Sequence, residues 1–449
     1  MTNDRALVSP RVRGRLWSLL LLPAVLAGGA CSSLLDVENP NNVKEEDLGD
    51  PTSATALANG ALSTLANAYA NIMLDEAATS DELRWVGSRD AYLQLDQGNT
   101  TDPNNEFTDA TFPQVGQSRW WSDEAIKRLE AFDAEGQLIS KLDLGRAYLY
   151  AAAIYTIIAD HFDDFVISSD RKVAGAPVGE AQMATLYDKA VAYVDKGLAI
   201  ARAANNAGLE TQLLAMRARA NFQKGVWAKV NPAGTIAANP LVNSAAAETD
   251  AKAFLAKSSD INWRWAFAYS ATTIGNSMAS WTNSRLEFRQ GNPYVTPTAN
   301  DKDMASVKLT DIIDAAKVSP QLEKLALEFD KGGLYPPVTA VSAREIHLML
   351  AEIELAKGST SGFATHVNHV RAADGLTAYD PGNAAHPQPQ AMLVHMRQTN
   401  LFLQGRRLAD HYRFKVPSVD WLAGSEAVLK PGSFFPITRI ERDANPNVK

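Results

Sequence analysis

The chain has 449 residues and a single cysteine, Cys31, so it cannot form an internal disulfide. It also lacks positive net charge, because 43 basic and 51 acidic residues leave a formal charge of −8. Nucleic-acid-binding proteins use net positive charge or a basic stripe, so this balance argues against a nucleic-acid partner. Motifs typical of metalloproteases, serine hydrolases, P-loop proteins and EF-hands are missing as well. The sequence therefore offers no recognisable catalytic or cofactor site.

Long hydrophobic runs are also scarce, and the one present lies near the N-terminus. Three arginines within residues 11–15 precede an apolar run over residues 16–27, and small residues lead from it to Cys31. This order is typical of a secretory signal peptide, and the run is too short to span a bilayer in the mature protein. We predict that residues 1–30 are the signal peptide and that Cys31 is lipidated, which anchors the chain in a membrane. The alternative is an ordinary secreted protein with an unmodified cysteine. Gly28 departs from the lipoprotein motif, which usually has leucine three residues before the cysteine.

Residues 31–50 are polar, acidic and rich in turn formers, which predicts an extended tether. Asp50 followed by Pro51 is a good helix start, since aspartate can cap the first turn and proline suits the first helical position. Strand signals are sparse, and the best candidate is the short segment 433–438. We therefore predict a mostly α-helical fold with little β-structure.

Apolar residues recur at intervals of three and four along residues 183–198, 148–158 and 346–353, as on one face of a helix. The sequence LGRAY at 144–148 matches the L-G-x-x-Y core of a tetratricopeptide repeat. Further first helices are predicted at 213–227 and 346–358, and a second helix at 360–373. We expect a tetratricopeptide-like scaffold of helix pairs.

The chain divides into parts by pattern. The helical pattern fills residues 51–240 and returns over 341–449. Between them, residues 241–340 are rich in proline, glycine and aromatic residues and predict long irregular loops. We expect residues 31–449 to form one compact unit.

The loop-rich part carries aromatic residues interleaved with arginine and asparagine. Trp281 stands between Asn276 and Arg285, in a stretch with no helical stripe. Sugars stack their C–H faces on aromatic rings, and aromatic walls with a few polar groups are typical of a binding pocket. A second group of this kind follows the first helix. The predicted ligand-binding residues are Trp281, Arg285, Tyr294, Trp263, Trp265, Arg84, Trp85 and Asn99. The alternative for each ring is packing in the core.

For the remaining candidate residues, a structural role is the simpler interpretation. His347, His366 and His369 could hold a metal ion, but groove or surface positions on paired helices are the simpler interpretation. For the adjacent carboxylates Asp81 and Glu82 we favour a solvated loop, because glycosidases need two acids facing each other across a cleft. Arg407 and Asp410 are spaced to pair on one helix. Trp120 and Trp121 are expected to pack in the core.

At the C-terminal end the sequence resembles the SusD/RagB-like outer-membrane lipoproteins. The segment 345–358 resembles the family's E-x-x-L-x-x-A-E-A-x-x-x-x-G helix. The segment 400–413, NLFLQGRRLADHYR, resembles its E-L-a-F-E-G-x-R-x-x-D-l-x-R motif, with Asn400 and Gln404 in place of glutamates. Weaker matches are VNHVRAADGL at 367–376, FPI at 435–437, NPN at 445–447 and LDV at 35–37.

The resemblance implies a helical scaffold that acts as a lid over a TonB-dependent, SusC-like barrel in the outer membrane. Such a lipoprotein is exposed at the cell surface, binds an oligosaccharide or a peptide, and delivers it to the barrel without chemistry or cofactor. The resemblance also implies a ligand surface in loops near Trp85 and within residues 262–294. A lipid-anchored glycan-processing enzyme and a protein-binding scaffold are the alternatives.

Overall fold

The computed structural model describes residues 47–169, 173–295, 306–329 and 332–448. The predicted signal peptide (1–30), Cys31 and most of the tether lie outside these residues. Asp50–Lys449 form one compact unit, and Asp47–Gly49, described separately, form a single 3₁₀ turn. None of the helices in the described ranges is long and apolar enough to cross a bilayer.

Helices dominate the described residues, as the sequence predicts. They are α1 (Ala54–Thr79), α2 (Asp90–Asp96), α3 (Glu106–Ala134), α4 (Lys141–His161), α5 (Thr185–Ala203), α6 (Ala207–Val230), α7 (Ala245–Lys257), α8 (Ser277–Ala279), α9 (Pro320–Glu328), α10 (Ala343–Ala356), α11 (Thr360–Ala373), α12 (Pro389–Asn400), α13 (Arg407–Phe414), α14 (Glu426–Leu429) and α15 (Arg439–Ala444). A π-helical turn, Ser280–Ser284, continues α8. Short 3₁₀ turns lie at Pro51–Ser53 and Glu180–Gln182.

The predicted start of the first helix is confirmed. The Asp50 carboxylate accepts the backbone N–H of Thr52 at 2.8 Å, and Pro51 opens a 3₁₀ turn that leads into α1. A capped N–H that would otherwise lack a partner stabilises the helix start.

Successive helices pack as neighbours: α4 on α5, α5 on α6, α6 on α7, and α10 on α11. Gly145 explains the close approach at the predicted repeat core. A Cβ atom there would lie 3.0 Å from Leu209 and 3.3 Å from Ile200. Gly197 on the facing helix is equally confined, by Leu213 at 2.9 Å. Small residues at both positions let α4, α5 and α6 pack as tetratricopeptide-like pairs.

Four short strands complete the described architecture, and the predicted strand at 433–438 is wrong. Strand β1 (Leu83–Trp85) pairs antiparallel with β3 (Phe288–Gln290), and β2 (Arg264–Phe267) pairs antiparallel with β4 (Val338–Ser342). In the segment 433–438, only a single bridge forms, between Phe435 and Phe162. All four strands are five residues or shorter.

The part predicted as long loops is more ordered than its composition suggests, since α7, α8, α9, β2 and β3 all lie within residues 241–340. The residue after β3 makes a close backbone contact with the segment that follows α1. Gly291 donates its N–H to the Glu82 carbonyl at 3.0 Å, and a Cβ at Gly291 would lie 1.6 Å from the Asp81 carbonyl oxygen. Only glycine fits there, so the loop after β3 is fixed against the segment that follows α1.

Candidate functional site

Five aromatic rings from five elements meet at one place, which we call the aromatic cluster. Tyr92 stacks on Phe107 with ring centroids 3.4 Å apart. Trp281 lies edge-on to both, at 5.1 Å from Tyr92 and 5.4 Å from Phe107. The members are Trp85 (β1), Tyr92 (α2), Phe107 (α3), Trp281 (the π-helical turn) and Phe288 (β3). The structure thus places Trp85 and Trp281, 196 residues apart in sequence, 6.1 Å from each other.

Local pairing explains why these rings converge. The β1–β3 register sets Trp85 opposite Phe288, and their ring centroids are 4.9 Å apart. Asn105 caps α3 by accepting the N–H of Phe107 at 3.1 Å. Its side-chain amide donates to the Ala91 carbonyl at 2.8 Å, which ties the start of α3 to α2. One asparagine therefore holds Phe107 against the helix that carries Tyr92.

Burial falls steadily across the aromatic cluster. Phe288 is fully buried, and Tyr92 and Trp85 are 2% and 6% exposed. Phe107 and Trp281 are only half-buried. The cluster therefore has a packed interior and an open edge formed by these two rings.

Cationic side chains line the open edge. The Arg285 guanidinium lies 4.0 Å from the centre of the Trp281 ring, and its nitrogens contact Glu287 Oε1 at 2.8 and 3.0 Å. The Arg89 guanidinium lies 5.3 Å from the Phe107 ring and contacts Glu106 Oε1. Both arginines combine a cation–π contact with an acidic partner, so each ring edge is flanked by hydrogen-bond donors.

A polar groove of about 540 Å³ adjoins this edge, between the start of α2 and the turn before α3. Arg89 lines the groove and also contacts the Phe107 ring of the aromatic cluster. The side chains lining the groove carry carboxylate, amide and guanidinium groups: Arg89, Asp90, Gln94, Asp102, Asn104 and Glu106. Aromatic faces beside convergent polar groups can bind a ligand that has both apolar faces and hydroxyl groups.

Two further predicted ligand-binding residues, Arg84 and Asn99, form contacts within the protein itself. Arg84 forms ion pairs with Asp96, at 3.4 Å, and with Asp420. Burial raises the pKa of Asp96 to about 7, although Arg84 lowers it in part. Asn99 is half-buried, and its backbone N–H donates to the Gln94 carbonyl. Arg84 therefore braces the strand that carries Trp85.

The other predicted aromatics lie apart from the aromatic cluster in their contacts. Tyr294 is fully buried and packs on Phe402, and Trp265, 7% exposed, packs between Tyr150 and Phe267. Both rings therefore pack in the core, which was the alternative to ligand contact for each predicted aromatic residue. Trp263 is half-buried on Phe254 of α7.

The solvated loop predicted for Asp81 and Glu82 is wrong, because these carboxylates are 3% and 1% exposed. Burial and the nearby Glu76 raise the pKa of Glu82 well above its usual value. Burial alone would raise the pKa of Asp81, but His411 and Arg407 hold it well below its usual range. Neither carboxylate faces an open cleft as a glycosidase pair would.

The histidines meet as the helix pairing predicts. His347 stacks on His369 with centroids 4.3 Å apart, and its Nδ1 lies 3.3 Å from Nδ1 of His366. Burial and the neighbouring imidazoles lower the pKa of His347 to about 3. Within the residues that the structure describes, no group of three or more His, Cys, Asp or Glu side chains is arranged to hold a metal ion.

Sequence reasoning missed Phe107 and Arg89. The signal for Phe107 was present, because Asn105 is a helix-capping residue type and sets an aromatic ring in the first turn of α3. Arg89 carried no signal of its own, since its position over Phe107 depends on how α2 packs against α3.

No protein-family model matches the chain, and no curated protein matches it by sequence. Solved structures do match. A SusD superfamily protein from Bacteroides vulgatus aligns with a TM-score of 0.61 at 13% identity, over 90% of this chain and 98% of that one. A SusD superfamily protein from Bacteroides fragilis gives 0.59 at 11%, over 89% and 99%. A SusD-like carbohydrate binding protein from Bacteroides vulgatus gives 0.53 at 14%, over 82% and 84%. The chain therefore has a SusD-like fold, which agrees with the resemblance of its C-terminal motifs to those of that family.

Proposed function

We propose that this chain is a non-catalytic nutrient-binding protein of the SusD type, and that its ligand is an oligosaccharide. The observation that carries the proposal is the open edge of the aromatic cluster, where half-buried Trp281 and Phe107 adjoin a polar groove. One of the structures with the same fold is described as a SusD-like carbohydrate binding protein, which supports the same ligand class here.

The chemistry of the edge suits a sugar. A pyranose ring has an apolar C–H face that stacks on an indole, and a rim of hydroxyls that both donate and accept hydrogen bonds. Trp281 offers the ring, Arg285 and Arg89 offer donors, and the groove beside them adds carboxylate and amide acceptors. A ligand face takes the place of the Arg285 guanidinium over the indole, while Glu287 keeps that arginine at the rim. A peptide is the second ligand class that these groups could take.

The N-terminal pattern and the fold both support a place of action at the outer membrane. We propose that acylated Cys31 holds the protein on the outer membrane, exposed at the cell surface. There it acts as a lid that passes its ligand to a TonB-dependent, SusC-like barrel. A TonB-dependent barrel that co-purifies with the chain from native membranes would support this partner.

The substitution Trp281→Ala tests the ligand surface. Removing a ring that stacks on the ligand costs about 1.4–2.7 kcal/mol, or roughly ten- to a hundredfold in affinity. We expect this loss in calorimetric titration of the best ligand from a panel of oligosaccharides and peptides, with the melting temperature lowered no more than in a matched control variant, since the Trp281 ring also packs on Tyr92 and Phe107. Trp227→Ala is the matched control, because Trp227 is a half-buried tryptophan on α6, outside the aromatic cluster.

Three results would contradict the proposal. A lower melting temperature with unchanged affinity would make Trp281 a core residue. Binding of peptides alone would make the ligand class wrong. Shortened chains after incubation with the oligosaccharides, detected by chromatography, would identify an enzyme instead.

A further inference from the structure

A second concave surface lies further along α3, outside the aromatic cluster. It is a cavity of about 630 Å³ between α3, the loop after α4 and the C-terminal helix α15. Its walls include Phe112, Trp120 and Trp121 of α3, Phe165 of the loop, and Glu441 of α15. Ligand pockets for small molecules fall in this range of volume.

Two adjacent indoles, Trp120 and Trp121, form part of the cavity wall. The Trp120 and Trp121 rings are both half-buried, 6.0 Å apart and inclined at 50°. Gly60 of α1 leaves room for this arrangement, because a Cβ atom there would lie 2.4 Å from Trp121 Nε1. Phe112 and Phe165, which also line the cavity, are buried and pack on each other with ring centroids 4.6 Å apart. The two indoles therefore keep exposed surface that these phenylalanines do not.

The charges at the cavity already have partners, which narrows the class of ligand. Arg119 is 4% exposed and donates from Nη1 to the Ser168 carbonyl at 2.6 Å, with Asp123 at 3.4 Å. Glu441 accepts the side-chain amide of Asn445 at 2.7 Å. Among the described residues that line the cavity, Arg119 and Glu441 are those of charged residue types. Because these two side chains already have partners, a ligand would meet indole surface and the uncharged polar residues of the cavity wall. This surface suits a neutral ring with hydroxyl groups better than an ion.

We propose that this cavity is a second carbohydrate subsite, where a neutral pyranose ring packs against the exposed surface of Trp120 and Trp121. It shares the ligand class proposed above but none of the residues of the aromatic cluster. Phe107 and Trp120 lie thirteen residues apart on one helix, so the two sites are roughly 20 Å apart at about 1.5 Å per residue. A long glycan could contact both sites, or two chains could bind at once.

Fluorine NMR of the full chain labelled with 5-fluorotryptophan tests the second subsite. Trp120→Phe and Trp121→Phe assign the two resonances, and the probes are maltohexaose, cellohexaose, xylohexaose, mannohexaose and laminarihexaose. We expect at least one probe to shift the Trp120 and Trp121 resonances in a saturable way, and to do so equally in Trp281→Ala. Trp120→Ala should weaken the affinity read from the Trp121 resonance at least tenfold and leave the response of Trp281 intact. The Trp227 resonance is the internal control and should not move.

Each other outcome has a distinct meaning. Shifts confined to Trp281 and Trp85 would overturn the second subsite and leave the function proposed above standing. Shifts at Trp120 and Trp121 that vanish in Trp281→Ala would overturn the independence of the two sites. Tighter binding in this cavity by an oligogalacturonate than by any neutral probe would overturn the neutral ligand class. No shift at any tryptophan would overturn both proposals.

Discussion

Arg407 and Asp81, 326 residues apart in the sequence, form a buried two-point ion pair, with Arg407 Nε and Nη2 at 2.8 and 3.0 Å from the two carboxylate oxygens. The predicted pairing of Arg407 with Asp410 on one helix is therefore wrong. Asp410 instead accepts hydrogen bonds from Arg397 at 2.7 Å and Arg413 at 2.8 Å. The arginine motif of α13 thus joins the C-terminal helices to the end of α1, directly before the strand that carries Trp85.

We predict that Arg407→Leu destabilises the fold by about 3–5 kcal/mol, because it leaves the Asp81 carboxylate buried without its guanidinium partner. Urea unfolding measures the change. Asp81→Asn should cost less in the Arg407→Leu background than in the wild type, since the guanidinium contact is already gone and the contact with His411 is what the carboxylate still has to lose.

The control for this pair is Lys252→Met, which breaks an exposed contact of 2.6 Å with Glu248 on α7. Exposed pairs contribute about 0–1 kcal/mol, so this variant should unfold close to the wild type. Similar small losses for Arg407→Leu and Lys252→Met would contradict the role of the buried pair.

The sequence could predict helices, but it could not predict long-range contacts such as the one between Arg407 and Asp81. The segment predicted as a second helix, 360–373, is α11, because its spacing of apolar residues alone specifies a helix. Strand β1 has three residues and pairs with a strand about 200 residues away, so no local period marks it. The partner of Arg407 is likewise chosen by tertiary packing. The composition of residues 262–294 predicted aromatic contacts with a ligand. It could not distinguish Trp281 from Trp265, because both are tryptophans in the same aromatic-rich stretch. Tertiary packing places Trp281 at the open edge of the aromatic cluster and Trp265 in the core.

Asp75 gives the fold a distinctive pH dependence. It lies on α1 with 1% exposure, and burial raises the pKa of its carboxyl to about 7, although a hydrogen bond with Thr111 lowers it in part. Because the folded-state pKa exceeds the unfolded value of 3.8, the folded state binds more protons between about pH 4 and pH 7. The contribution of Asp75 to stability is therefore full below pH 4 and is lost as the pH rises to 7.

We predict that Asp75→Asn removes this dependence, because the amide stays neutral at every pH. The unfolding free energy of the variant relative to the wild type should increase between pH 4 and pH 7, by as much as about 4 kcal/mol, at about 1.4 kcal/mol per pKa unit. Urea unfolding at pH 4, 5.5, 7 and 8.5 measures this. Asp443→Asn, at an exposed position on α15, is the control and should run parallel to the wild type. A constant difference between Asp75→Asn and wild type would show that Asp75 titrates normally.

The last prediction concerns the membrane anchor, which rests on the sequence of residues 11–31. When the full chain is expressed in a Gram-negative host, we expect it to fractionate with membranes. Mass spectrometry should place an acylated Cys31 at the N-terminus, because the thiol is the only one in the chain. Several acyl chains on one residue hold a protein stably at a bilayer. Cys31→Ser removes the acceptor, so this variant should appear as the soluble mature chain or as an uncleaved precursor.

The two forms of the variant are separated by N-terminal sequencing, since a precursor that keeps residues 1–30 could stay in the membrane through its apolar run. Ser33→Ala, two residues beyond the cysteine, is the matched control and should be acylated like the wild type. Cleaved Cys31→Ser chains that remain in the membrane, together with a wild type of unmodified mass, would contradict lipidation. That result would favour an ordinary secreted protein, and delivery to an outer-membrane barrel would then need a contact made by the folded unit itself.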